Sequence, residues 1–316
     1  MKRGVALLTL IGILMIAGPV ASETIVRVGT WKTAQTIQPF FYEQFLDERT
    51  RCRVFAFTNP ADQKTALLAG GLDMCGTTLA HAIHSAAIGQ PVVIVAALCN
   101  KCSALVVKKD GGIQAIADLH GKKIGYVPGT MHEILLREAL TRNRLSPETD
   151  VKLIRVDFFD MGLALAKGNI DAFLSGEPFP SLAVEQGFGH VLAYPYYGDT
   201  IGAINAGMLV TRGAIEQTPE LVRRLVNAHV QATRYLNAHQ EQWLKKASGF
   251  GTLLPVLQKA AGNMELSWYM DAAFVDRVRA LGARMQALGV IRKQPDYQQL
   301  FDLRFVQQIQ KELGGK

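Results

Sequence analysis

Cysteine is scarce in this chain: four residues in 316. That excludes a small domain held together by dense disulfides, and about 290 residues beyond a leader are enough for two lobes with separate cores. Long apolar runs are missing as well. The stretch from Val5 to Ala17 falls short of the roughly 20 residues that span a bilayer, and later apolar stretches are all interrupted. Nor does one sign of charge dominate, with 34 Lys and Arg against 27 Asp and Glu and a formal net charge of +7. With the acids interspersed and no basic-aromatic recognition motif present, this is no nucleic-acid-binding stripe. There is also no contiguous cysteine cluster, no Ser/His/Asp order and no phosphate-cradling glycine loop, so the sequence makes no case for an enzyme.

What is present begins with the leader. Lys2 and Arg3 form a basic start, the apolar run follows, and "GPVASE" supplies small residues for cleavage near Ala21 or Ser22. This is the pattern of a secretory signal peptide over residues 1–22, which predicts export, most simply to a bacterial periplasm. No cysteine follows the run, so a lipid-anchored form is not expected. Without Lys2 and Arg3 the formal charge is about +5, a mildly basic surface.

The rest of the chain alternates short β-branched runs with helical segments. "TIVRVG", "CRVFAF", "LDMCG" and "PVVIVAAL" read as strands, with helices predicted through "FYEQFLDERT", "PADQKTALLAGG" and "TTLAHAIHSAAIGQ". The pattern restarts after "SALVVKK": "KKIGYV", "VKLIRVD" and "IDAFLS" are strands separated by "TMHEILLREALTRN" and "MGLALAKG". Such alternation argues for parallel βαβ units. "NAGMLVTR" reads as a strand returning to the first unit, and from Pro219 onward the chain reads as nearly all helical. The expected fold is therefore α/β: two lobes joined by two crossing strands, with a helical C-terminal region. Lobe one takes residues 23–103 and 205–316, and lobe two takes 104–204. In such sheets ligands sit beyond the carboxyl ends of strands, where helix starts converge, and two facing lobes can close by hinge motion.

Three stretches, "LDMCGTTLAHAIHSAAIGQPVVIV", "SALVVKKDGGIQAIADLHGKKIGYVPGTMHEILLREAL" and "GNIDAFLSGEP", together resemble the periplasmic solute-binding proteins of ABC importers. The branch they are most similar to is the nitrate/sulfonate/taurine and thiamine-pyrimidine group. The resemblance implies the type II periplasmic-binding-protein fold and a monomer that hands a small solute to a membrane permease, with no cofactor and no chemistry of its own. Carried onto this sequence, it implies solute contacts from Thr30 and Trp31, from Thr77, Thr78 and His81, and from Thr130 and His132. The family often shows "WEP" where this chain has Gly176-Glu177-Pro178, so an aromatic wall is missing there. A related branch makes the thiamine pyrimidine with a histidine and a dense cysteine run, which this chain lacks.

Read as residues, "GTMHE" is a capping box in which Thr130 accepts from the Glu133 N–H. It can simply start a helix, or it can leave N–H groups and His132 facing a polar group. His81 and His84 share a helix face. Trp31 and Lys32 follow the first strand, Phe158, Phe159, Tyr196 and Tyr197 are candidate apolar walls, and the Glu177 carboxylate suits an amine or hydroxyl. Cys99 and Cys102 form a Cys-x-x-Cys between two strands rather than at a helix start, which argues against a reactive redox pair. A zinc ribbon would need a second pair. Two readings stay open. One is a disulfide, Cys99–Cys102 or Cys75–Cys99, suited to an oxidising compartment. The other is a thiolate cage of Cys75, Cys99 and Cys102 for a soft ion such as Cu(I), Hg(II) or As(III).

Overall fold

A computed structural model describes residues 23–196 and 201–314, so the expected leader and Tyr197 lie outside the described residues. The first strand, β1 (Thr24–Trp31), alternates as its sequence does: Val26 and Val28 are buried while Ile25 stays exposed. It pairs in parallel with β2 (Thr50–Phe57), from Thr24 opposite Thr50 to Trp31 opposite Phe57. On its other side it pairs in parallel with β3 (Met74–Thr78). Between β2 and β3 runs α1 (Pro60–Leu68), whose Pro60 at the first helical position and Asn59 cap make a defined start. After β3 comes α2 (Leu79–Ala87). Next is β4 (Val92–Lys101), in which Val92 to Cys99 are all buried. An uninterrupted apolar run of this kind belongs to a strand covered on both faces.

A second sheet is built from β5 (Ser103–Lys108), β6 (Lys123–Tyr126), β7 (Lys152–Arg155), β8 (Ala172–Gly176) and β9 (Gly189–Ala193), in the order β7-β6-β8-β5-β9. Its helices are α3 (Met131–Arg142), α4 (Met161–Ala166) and α5 (Phe179–Glu185). The chain returns through β10 (Ile204–Thr211) and continues as α6 (Arg212–Gln217), α7 (Pro219–Ala238), α8 (Gln240–Ser248) and α9 (Leu254–Ala260). A short strand, β11 (Met264–Leu266), precedes α10 (Ala272–Ala287), α11 (Tyr297–Leu300) and α12 (Arg304–Gly314). The first sheet then has the order β11-β4-β10-β3-β1-β2. Among the described residues no helix is long and apolar enough to cross a membrane.

One local reading changes, and two short strands were not foreseen. The segment from Phe41 to Thr50 is not an α-helix. A 3-10 helix covers Gln38–Gln44, because Pro39 and three aromatic side chains set its geometry: Phe41 and Phe45 pack on Tyr235, and Phe40 packs on Phe250. The C-terminal region is nearly all helical as read, with one short strand not foreseen: β11 pairs with the edge of β4 at Lys101, Asn100 and Cys99. And β9, unforeseen in "GHVLA", pairs antiparallel with β5.

The passage from first sheet to second takes a single residue, Cys102, between β4 and β5. Lys101 and Cys102 both adopt positive φ, 58° and 77°, a conformation that costs non-glycine residues about 1–3 kcal/mol each. Surrounding bonds hold them there. The Lys101 N–H donates to the Ala203 carbonyl and the Cys102 N–H to the Asn263 carbonyl, both at 2.7 Å. Asn205 Nδ2 donates to the Lys101 carbonyl at 2.8 Å and to Cys102 Sγ at 3.1 Å.

That arrangement corrects both cysteine readings. All four thiols are free. β10 lies between β3 and β4, with Ala206 opposite both Thr78 and Cys99 while Leu209 is opposite both Cys75 and Ile94. Cys75 and Cys99 are thus two strand spacings apart and offset by about three residues, roughly 14 Å, beyond the ~7 Å Cα limit for a disulfide. The Cys102 thiol is instead the acceptor for Asn205. No three His, Cys, Asp or Glu side chains come together as a metal set among the described residues, so a cage of Cys75, Cys99 and Cys102 does not exist.

Candidate functional site

The segment after β1 is tied up by threonines. Thr30 Oγ1 donates to the Thr36 carbonyl at 2.5 Å, Thr36 Oγ1 donates to the Trp31 carbonyl at 3.1 Å, and the Thr33 and Thr36 hydroxyls are 3.0 Å apart. From α8, Trp243 Nε1 donates to the Ala34 carbonyl at 2.6 Å. The result is a rigid loop that presents Trp31, Thr33 and Gln35 to a cavity facing the second sheet. Thr58 and Thr78 line the same cavity at the starts of α1 and α2.

The second sheet contributes His132 from the first turn of α3, Gly176 from the end of β8, and Phe158, Phe159 and Phe179. Phe158 and Phe179 stack with planes 10° apart, Phe159 meets Phe179 edge-on at 4.8 Å, and His132 meets Phe158 edge-on at 5.5 Å. The cavity volume is only about 20 Å³. Closed as it stands, the cavity holds little more than one water.

Its electrostatics are neutral. No Lys, Arg, Asp or Glu is among the described residues that line it. Burial pushes the His132 imidazole down to about 3, so it is uncharged at neutral pH. Its Nδ1 is hydrogen-bonded to Ser103 Oγ at 2.9 Å, and Nε2 lies where a Cβ on residue 176 would meet it at 2.9 Å. Gly176, standing where the resembled family often has Trp, lets His132 and Gln35 approach the strand end. Aromatic walls come instead from Phe158, Phe159 and Phe179.

The helix starts around the cavity are each served by their own chain. Asn59 Oδ1 accepts from the Ala61 N–H on α1 at 2.8 Å, and Thr78 Oγ1 accepts from the His81 N–H on α2 at 3.2 Å. On α3, Thr130 Oγ1 accepts from the Glu133 N–H at 3.4 Å, and the Glu133 carboxylate reaches back to the Gly129 N–H at 2.7 Å, one residue earlier than a standard capping box. On α5 the Glu177 carboxylate accepts from the Ser181 N–H at 3.2 Å.

Of the residues singled out in the sequence, Trp31, Thr78, His132, Phe158 and Phe159 line the cavity. Thr30 and Thr77 are buried beneath it, Thr77 Oγ1 donating to the Pro60 carbonyl at 3.3 Å. Thr130 caps α3. His81 reaches across to the second sheet, where a Cβ on Gly129 would lie 2.7 Å from its Nε2. Burial, then the charges of Lys64 and His84, lower its pKa to about 4 against the opposing effect of a hydrogen bond that the imidazole donates to the Pro128 carbonyl. Glu177 is buried, and burial raises its pKa. Its carboxylate accepts from Asn263 Nδ2 at 3.3 Å, and Asn263 is in turn bonded by the Tyr196 hydroxyl. Thr33, Gln35, Thr58, Gly176 and Phe179 were not foreseen. Spacing two and four residues past Trp31 was the available signal for the first pair, and flanking Glu177-Pro178 was the signal for the last.

A family model described as NMT1/THI5 like matches residues 51–243. The chain belongs to the NMT1/THI5-like family. This NMT1/THI5-like chain is 32% identical over 116 residues to the nitrate import ATP-binding protein NrtC of Synechocystis, 33% of its own length and 17% of that protein's. It is 27% identical over 171 residues to the 4-amino-5-hydroxymethyl-2-methylpyrimidine phosphate synthase of Schizosaccharomyces pombe, covering 52% of this chain and 49% of the synthase. The match therefore spans under two thirds of either relative. In fold it is similar to the alkanesulfonate-binding protein SsuA of Xanthomonas axonopodis pv. citri bound to MOPS, with a TM-score of 0.79 and 20% identity over 90% of this chain and 100% of the other. The NMT1/THI5-like chain thus has the fold of the periplasmic solute-binding proteins.

Proposed function

We propose that this protein is the periplasmic solute-binding component of an ABC import system, capturing a small polar organic solute between two lobes and delivering it to a membrane permease. The lobes are residues 23–103 with 205–316, and 104–204. One observation carries the reading: Trp31 and Thr78 from the first sheet line the same cavity as His132, Phe158 and Phe179 from the second. Walls that come from two sheets joined through Cys102 and a return strand can part and close about those connections. Opening is required, because the closed space is too small for an organic solute to enter. The names of NrtC and SsuA support nitrate or sulfonate as solute classes, and that of the fission-yeast synthase supports a pyrimidine. Cleavage of residues 1–22 on export completes the proposal.

The test is a thermal-shift panel of taurine, ethanesulfonate, nitrate and amino-pyrimidines. A solute present at a hundred times its Kd stabilises the folded state by about 2.7 kcal/mol, a shift of several degrees. A synthase-like activity is the rival reading, favoured by the 27% identity to the synthase. Multiple turnover of an added substrate would replace binding with catalysis.

A further inference from the structure

Two polar atoms at this cavity have no hydrogen-bond partner among the described residues: the indole Nε1–H of Trp31, a donor, and the Oε1 of Gln35, an acceptor. The two residues are 7% and 4% exposed and both line the cavity. Buried polar groups are rarely left unpaired in native structures, so each marks a place for a ligand or water atom. Around them the walls are aromatic, and no lining side chain is charged.

No charged side chain among the described lining residues neutralises an anion. At each surrounding helix start one N–H already serves an acceptor of the chain itself, and at α3 and α5 the acidic side chains of Glu133 and Glu177 are held at the helix end. A sulfonate or nitrate would bring another anionic group toward the same helix ends. A cation would suit the aromatic walls but would leave the Trp31 N–H without an acceptor. An uncharged planar molecule with a carbonyl and an N–H meets both unpaired atoms, and its faces suit walls made of Trp31 and the phenylalanines.

Resting on the binding reading above, we propose that the cleft selects an uncharged, planar carboxamide or lactam, whose carbonyl accepts from Trp31 Nε1 and whose N–H donates to Gln35 Oε1. The solute class thus differs from the nitrate and sulfonate named for NrtC and SsuA.

The experiment is calorimetric titration of the full mature chain with 2-pyridone, benzamide and nicotinamide, beside taurine, ethanesulfonate, nitrate and choline. The amides are expected to bind, and the anions and choline are not. Trp31→Phe removes the donor while keeping an aromatic face, and Gln35→Met removes the acceptor at similar volume. Each is expected to weaken amide binding about tenfold to a hundredfold, the range for one lost buried hydrogen bond. Circular dichroism and the unfolding midpoint of each variant establish that it is folded. Amide binding that both folded variants retain overturns the proposal. Binding of an anion or of choline with no binding of the amides also overturns it, while leaving the solute-binding reading intact. If no probe binds and a native mass spectrum of protein from its host shows no bound molecule, water serves the two atoms and both readings fall.

Discussion

Replacing Gly129 by Ala tests the contact that His81 makes across the cleft. Gly129 has φ +74°, and an added Cβ would lie 2.7 Å from His81 Nε2 and 3.0 Å from its Cδ2. An alanine in the left-handed region costs about 1–2 kcal/mol on backbone grounds alone. Overpacking against a buried ring adds about 1–3 kcal/mol, so Gly129→Ala is expected to cost about 2–5 kcal/mol in the closed form. His81→Ala removes the obstructing ring, so in that background Gly129→Ala falls back to the backbone cost of about 1–2 kcal/mol. The difference is a coupling of about 1–3 kcal/mol, read from urea unfolding of wild type, both single variants and the double variant. Because the contact joins α2 to the turn before α3, part of the cost can be met by opening rather than unfolding. Small-angle scattering of Gly129→Ala should then show a larger radius of gyration at unchanged helix content. Costs that add to within about 0.5 kcal/mol, with no expansion, would refute a contact between these residues.

Four further outcomes follow from the same structure. His81, His132 and His229 are buried with pKa values lowered to about 4, 3 and 4 from 6.5; the unfolded chain binds their protons first, so stability is constant above about pH 6.5 and falls as pH drops toward 4. The urea midpoint should track this, at on the order of 3 kcal/mol for one such histidine, and a flat profile between pH 7 and 4.5 would contradict neutral burial. Gly176→Ala places a Cβ 2.9 Å from His132 Nε2 and 3.1 Å from Gln35 Nε2; calorimetry should show solute affinity reduced at least about tenfold with the fold intact by circular dichroism. Asn205→Ala removes the bonds to the Lys101 carbonyl and Cys102 Sγ, so stability should fall by about 1–3 kcal/mol and amide exchange at Lys101 and Cys102 should speed up. Thiol titration in denaturant without reductant should find all four cysteines, and a count of two would restore the disulfide.

Much of the fold could be read from the chain because its signals are local. Alternation in "TIVRVG", the continuous apolar run of β4 and the caps at Thr78 and Thr130 each act within about a dozen residues. The helix starts that frame the cavity were therefore legible, while Trp31, Thr78 and His132 came as site residues from the family resemblance. Thr33 and Gln35 were not legible, because their orientation depends on Trp243, more than two hundred residues later, donating to the Ala34 carbonyl. Gly176 carries no side chain to advertise itself, and its use appears only where His132 and Gln35 meet the strand end.

The cysteines mark the boundary between the two kinds of information. By itself the sequence determined strands, helix caps and the place where one βα series stops and another begins, because backbone propensity and hydrophobic period are written in neighbouring residues. It could not determine that β10 enters between β3 and β4, since that pairing brings Ala206 between Thr78 and Cys99 from more than a hundred residues away. Tertiary structure alone separated Cys75 from Cys99, made Cys102 a strained crossing held by Asn205, and left a neutral cavity with one unpaired donor and one unpaired acceptor. Those outcomes depend on which surfaces meet, and the meeting of distant segments is decided by the packing of the whole chain.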